Sequence, residues 1–133
     1  MSNSGQVCCA TSRILVHENV YEAFVEKFVE HTTKASIVGD PFDESTSHGP
    51  QVSKLQYERV MQYVERGKAE GAKLVLGGTT PGGNFVVPTV FQDVEVMFSF
   101  APKLICCCVL TNASRIIMSL GVLRSPPLDG WRF

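Results

Sequence analysis

The chain has 133 residues, 44% of them hydrophobic and 19% charged, with a formal net charge of -1, a balance of globular proteins that offers no field to gather phosphate. Nucleic acid and membrane surfaces are therefore not expected among its partners. Five cysteines lie in two adjacent clusters, Cys8-Cys9 and Cys106-Cys107-Cys108, unlike the spaced framework of a disulfide-stapled secreted domain, and the polar start has no basic stretch leading into an apolar run. Free thiols in a reducing intracellular compartment, such as the cytoplasm, are expected.

In chain order, Arg13-Ile14-Leu15-Val16 reads as a short buried strand. Val20, Phe24 and Phe28, with Tyr21, Val25 and Val29 beside them, recur at helical spacing, while Glu18, Glu22, Glu26, Lys27 and Glu30 take the other face. A helix over about residues 18–35 follows, and Gly39-Asp40-Pro41 marks its end. The glutamates stand four apart, which suits a solvated face better than a cation site. After a polar loop through His48, Gly49 and Pro50, Ser53 stands three residues before Gln56 in capping-box spacing. Val60, Met61 and Val64 then form the stripe of a second amphipathic helix, running out near Gly71.

Lys73-Leu74-Val75-Leu76 before Gly77-Gly78 reads as a strand closed by a turn, and Phe85-Val86-Val87 before Pro88 as another. Strand, helix, helix, strand, strand predicts an α/β layer with two amphipathic helices packed on short strands. From Val96 no element is predicted, and the aromatic and turn residues near the end are expected to be poorly ordered. Composition changes at the same place: residues 1–95 hold twelve acidic and eight basic side chains, residues 96–133 one acidic and four basic.

The residue that invites chemistry is Cys8. A free thiol, with a pKa of about 8.5, is only slightly ionised near neutral pH, so reactivity is decided by surroundings. Cys8 follows Asn3-Ser4-Gly5-Gln6, where glycine permits a tight turn, and precedes the strand at Arg13, a junction where backbone N–H groups are exposed. Such groups stabilise an oxyanion by about 3 to 4 kcal/mol per donor. From spacing alone, Cys8 and Cys9 also fit a pair of small buried apolar residues. His17, His31 and His48 are scattered in sequence and read as surface histidines. Cys106-Cys107-Cys108 lacks zinc-site spacing, so no metal is expected.

The segment Gly5-Gln6-Val7-Cys8-Cys9-Ala10-Thr11-Ser12-Arg13 closely resembles the active-site motif of aldehyde dehydrogenases. The resemblance continues through the first helix, Gly39-Asp40-Pro41-Phe42-Asp43, the Gly49-Pro50-Gln51-Val52 turn, Glu70-Gly71-Ala72-Lys73 and Pro88-Thr89-Val90. It implies a partial catalytic domain over residues 1–94 and a divergent tail over residues 95–133. Cys8 is then the nucleophile, adding to an aldehyde; the thiohemiacetal gives hydride to NAD or NADP, and water hydrolyses the thioester to the carboxylic acid. Asn3, Gly5, Gln6 and Cys9 form the active-site loop, and the Cys8 N–H is half of the oxyanion hole.

The family places its glutamate base, its cofactor-binding segment and its second oxyanion donor upstream of the cysteine, and seven residues precede Cys8 here. Its Glu-x-Phe-Gly-Pro element does not follow Val94. The chain alone is accordingly expected to bind no dinucleotide and to turn over little or no aldehyde. Apolar surface left without a partner implies homo- or hetero-oligomers, and a non-catalytic fragment that docks on a full-length relative is the alternative reading. Cofactor-free esterase or thiol-redox chemistry at Cys8 is a third.

Overall fold

The structure is a computed structural model, and it describes residues 2–7, 10–11, 13–94 and 115–120. Among the described residues two helices and four short strands make up an α/β unit, the class that the sequence predicts. Strand β1 (Arg13–Val16) coincides with the β-branched run, and β2 (Lys73–Leu76) likewise falls on its predicted span. A single turn of 3-10 helix, Glu18–Val20, leads into α1 (Tyr21–Ala35), so the first helix also occupies its predicted span.

The stripe that α1 buries is narrower than predicted. Tyr21, Val25 and Thr32 are buried, whereas Val20 and Phe24 are exposed. Phe24 instead stacks on Phe28, with centroids 5.7 Å apart, one turn further along the same flank. Glu18, Glu22, Glu26 and Glu30 are all exposed, and Glu30 pairs with Lys34 at 2.6 Å, an exposed contact of small energetic weight.

Helix α2 (Lys54–Ala69) begins where Ser53 accepts the Gln56 N–H on its hydroxyl at 3.2 Å. It ends in a Schellman motif: the Ala72 N–H reaches the Gly67 carbonyl at 3.0 Å and the Gly71 N–H the Lys68 carbonyl at 3.1 Å. Gly71, at φ +86, takes the left-handed conformation that this cap requires.

The third predicted strand is displaced. Phe85-Val86-Val87 runs as an irregular connector, and the strand, β3, is Thr89–Gln92, buried at every position. The reason lies in Pro88, which has no N–H to give a ladder: β3 is paired on both sides, so it starts only after the proline. A fourth strand, β4 (Arg115–Leu120), pairs with β1 and β3, although the sequence predicts no element beyond Val96. The rest of the expected poorly ordered tail lies outside the described residues.

The sheet order is β1-β4-β3-β2, with every neighbour antiparallel. Successive residues of β3 serve opposite faces, as the pleat dictates. Val90 joins Val16, Tyr21 and Val25 in the cluster under α1. Phe91 lies against Gly67 of α2, where a methyl group on the glycine would come within 3.0 Å of its ring. One helix therefore lies against each face of β3, and each buried aliphatic side chain of the cluster under α1 contributes about 1.5 to 3 kcal/mol.

Candidate functional site: the loop before Cys8

Asn3, Ser4 and Gly5 all have left-handed backbone, with φ of 49, 54 and 77. Glycine adopts this freely and asparagine tolerates it, but for serine it is strained by about 1 to 2 kcal/mol. Strain of this kind persists only where neighbours over-determine the conformation. The neighbours here come from the turn at residues 49–52, brought alongside by the loop that joins α1 to α2.

The contacts between the two segments are specific. Ser4 donates its hydroxyl to the Gly49 carbonyl at 3.0 Å. Gln6 donates from Nε2 to the Pro50 carbonyl at 3.3 Å and accepts the Val52 N–H on Oε1 at 2.8 Å. Gln51 reaches back from Nε2 to the Ser4 carbonyl at 3.5 Å. The loop also closes on itself, the Gln6 N–H donating to the Asn3 carbonyl at 2.9 Å and the Ala10 N–H to the Val7 carbonyl at 3.0 Å.

Of the residues expected at the site, Asn3 is exposed on this left-handed turn, Gly5 is buried within it and Gln6 is half-buried in the clamp. Cys8 and Cys9 lie outside the described residues, as do Cys106, Cys107 and Cys108. Among the described residues no three His, Cys, Asp or Glu side chains gather where they could hold a metal ion. No helix among them is long and apolar enough to cross a membrane.

His48 corrects the sequence reading. His17 and His31 are exposed, but His48 is buried, at 6% exposure. Its loop folds back on the end of α1: the His48 N–H donates to the Ile37 carbonyl at 3.0 Å, and its carbonyl accepts the Gly39 N–H at 3.1 Å. Its Nε2 stands 3.2 Å from the Ser36 hydroxyl. Burial lowers its pKa below the ordinary histidine value, because the charged imidazolium loses water there. With Ser4, Gln51, Val60 and Pro88 it lines a small cavity behind the loop. His48 Nδ1 and Gln51 Oε1 are buried there without a hydrogen-bond partner among the described residues.

Sequence reasoning missed Ser4, Gln51 and the bracing role of the 49–52 turn. Their partners stand 44 to 47 residues away along the chain, so no local pattern marks them. The one available signal was the Gly49-Pro50 pair, a turn signature followed by a glutamine.

The described residues form no phosphate cradle of the kind that dinucleotide folds use. Phosphate cradles of dinucleotide folds join a parallel strand through a glycine-rich turn to a helix N-terminus. Here the sheet is antiparallel, the Gly77-Gly78 turn after β2 leads to no helix, and the first turn of α2 is capped by Ser53.

Comparison with known proteins agrees with this architecture. The model of the aldehyde dehydrogenase family matches residues 1–111, beyond the Val94 boundary that the motifs alone suggested. An aldehyde dehydrogenase of Enchytraeus buchholzi is 53% identical over 96 residues, covering 71% of this chain and 19% of its own. Aldehyde dehydrogenase 1 of Tanacetum cinerariifolium is 51% identical over 105 residues, 77% of this chain and 21% of its own. Among solved structures, HpcC from Thermus thermophilus aligns with a TM-score of 0.70 at 40% identity, over 76% of this chain and 21% of that one. Betaine aldehyde dehydrogenase from Staphylococcus aureus in complex with NAD+ aligns with a TM-score of 0.69 at 31% identity, over 74% of this chain and 21% of that one. The chain thus spans about a fifth of the length of the curated relatives it matches. A profile match over most of the chain, joined to the cysteine motif and the braced loop before it, establishes that this chain belongs to the aldehyde dehydrogenase family.

Proposed function

We propose that this chain is the part of an NAD(P)-dependent aldehyde dehydrogenase that carries the catalytic nucleophile, and that the nucleophile is Cys8. The observation that supports it most strongly is the run from Asn3 to Arg13, which matches the family's cysteine motif, together with the clamped, left-handed backbone leading into it. A loop so constrained holds its N–H groups in fixed directions, the property that oxyanion stabilisation needs.

The Cys8 thiolate adds to the aldehyde carbon, forming the carbon–sulfur bond and placing negative charge on the carbonyl oxygen. The Cys8 N–H meets that charge, with Asn3, Gly5, Gln6 and Cys9 completing the loop. When bound in the whole enzyme, the dinucleotide supplies the hydride acceptor, and segments other than those described here would hold it. With that hydride lost from its carbon the adduct is a thioester on Cys8, from which water releases the carboxylic acid and the free thiol.

Alone, the chain is expected to show little or no dehydrogenase turnover, since its 133 residues contain no Glu-Leu-Gly-Gly motif to provide the family's base. Residues 1–94 act as the catalytic-domain part, and residues 95–133, which the family model follows only as far as residue 111, as a divergent extension. A reducing intracellular compartment suits the free thiol.

The test is a chimera in which residues 1–94 replace the matching segment of the Enchytraeus buchholzi enzyme, assayed for NAD(P)H production across a panel of aldehydes. The chimera should turn over, and Cys8→Ser should lower the rate at least about a thousandfold. A chimera indifferent to Cys8→Ser would refute the assignment.

A second reading draws on exposed apolar side chains. Phe42, Val52 and Leu55 are exposed. Residues of this kind suit a fragment that docks on a full-length relative or a second copy. Co-purification with such a relative, unaffected by Cys8→Ser, would favour docking over catalysis.

A further inference from the structure

We propose that Gln6 is a positioning residue, whose amide grips the turn at Pro50 and Val52 from both sides and thereby fixes the chain two residues ahead of Cys8. The inference rests on the reading of Cys8 as nucleophile. It adds a role for Gln6 that motif membership alone does not assign.

The grip depends on matched chemistry. Pro50 has no N–H, so at this point the turn presents a carbonyl, and two residues later it presents the Val52 N–H just ahead of α2. A glutamine amide offers an acceptor and a donor on neighbouring atoms, and both are used: Oε1 to the Val52 N–H at 2.8 Å and Nε2 to the Pro50 carbonyl at 3.3 Å. Glutamate could take the first bond but not the second, and methionine, of similar shape, could take neither.

The clamp is not isolated. Ser4 seizes the preceding residue of the same turn through the Gly49 carbonyl at 3.0 Å, so two side chains of the loop hold adjacent positions of one brace. Between them lies Gly5, buried and left-handed. The Gln6 N–H bond to the Asn3 carbonyl, at 2.9 Å, then passes the restraint back through the strained turn. Gln6 neither touches a substrate nor moves a proton. Its effect on the thiol comes through backbone placement, because fixed N–H dipoles favour a thiolate only when they stay aimed at it.

The test is the pH profile of Cys8 alkylation by iodoacetamide, read site by site by mass spectrometry on the full chain, for wild type, Gln6→Met and Gln6→Glu. In wild type, Cys8 should titrate below the free-thiol value of about 8.5. In Gln6→Met the midpoint should rise by roughly one pH unit, with alkylation at neutral pH slowed roughly tenfold, while the thermal unfolding curve keeps its cooperativity. Gln6→Glu, which sets a carboxylate oxygen against the Pro50 carbonyl and adds negative charge near the thiol, should raise the midpoint at least as far. A wild-type profile that is depressed and stays unchanged in Gln6→Met would overturn the positioning role and leave the nucleophile reading standing. A wild-type Cys8 that already titrates as a free thiol would overturn both.

Discussion

The Tyr21 hydroxyl accepts the Asp93 N–H at 3.0 Å, a bond between residues 72 apart that ties the first turn of α1 to the exit of β3. Tyr21 is fully buried, and Asp93 has left-handed backbone, at φ 55. The phenol thus does two things at once: its ring fills the cluster with Val16, Val25 and Val90, and its oxygen fixes a strained residue. Tyr21→Phe keeps the ring and removes the bond, so urea unfolding should show a loss of about 1 to 2 kcal/mol. Tyr21→Ala, which also opens a cavity, should lose about 3 to 5 kcal/mol or fail to fold.

Two glycines with left-handed backbone separate strain from steric clash. At Gly71, φ +86, a methyl group would meet nothing within 4 Å, so Gly71→Ala should lower stability by about 1 kcal/mol, the backbone contribution alone. At Gly77, φ +73, the methyl carbon would fall 2.1 Å from the Pro88 carbonyl oxygen, an approach that requires the β2–β3 connection to move. Gly77→Ala should therefore cost about 3 kcal/mol or more by chemical denaturation. Equal effects at the two positions would contradict the packing described for that connection.

His48 should make stability depend on pH. Burial lowers its folded pKa, so the unfolded chain takes up a proton at higher pH than the folded one. The stability it contributes is present above the unfolded value of about 6.5 and is lost as pH falls from there through the folded pKa. A neutral replacement, His48→Gln, should flatten the fall in melting temperature over the acid side of that window. An unchanged pH profile would show that the imidazole is already hydrated in the folded state.

Much of the fold was legible because its signals are local. Helical periodicity located α1 and α2, and Ser53 and Gly71 marked the ends of the second helix through cap chemistry that acts within four residues. The errors come from pairing and packing that local patterns do not show. Val86 and Val87 look like a strand, but Pro88 denies them a ladder and hands that role to Thr89–Gln92. The run Ile116-Ile117-Met118 shows no alternation, and only its pairing with β1 and β3 makes it a strand. His48 is polar and sits in a loop, so its burial comes from a fold-back that composition does not encode. The site divides in the same way: the motif around Cys8 was readable from adjacent residues, whereas the brace formed by Gly49, Pro50 and Val52 became visible only in three dimensions.

The cap at α2 gives a small, independent check on the segment that carries the brace. Ser53→Ala removes the acceptor of the Gln56 N–H and should cost about 1 kcal/mol. Ser53→Asp should restore most of it, since aspartate caps as well and its charge suits a helix N-terminus. Because Val52 immediately precedes the cap, hydrogen exchange at the Val52 amide should quicken in Ser53→Ala along with that of Gln56.

The central claim is that the thiol of Cys8 is placed to attack a carbonyl carbon, and it can be measured without cofactor or base by exposing the full chain to an activated aryl ester and locating the acyl group by peptide mass spectrometry. Acylation transfers the acyl carbon from the aryl oxygen to sulfur and releases a phenolate, so it tests attack and oxyanion support alone. The account predicts a thioester on Cys8 at least about ten times faster than on Cys9, Cys106, Cys107 or Cys108. Acylation spread evenly over the five cysteines, at the rate of free cysteine, would contradict it.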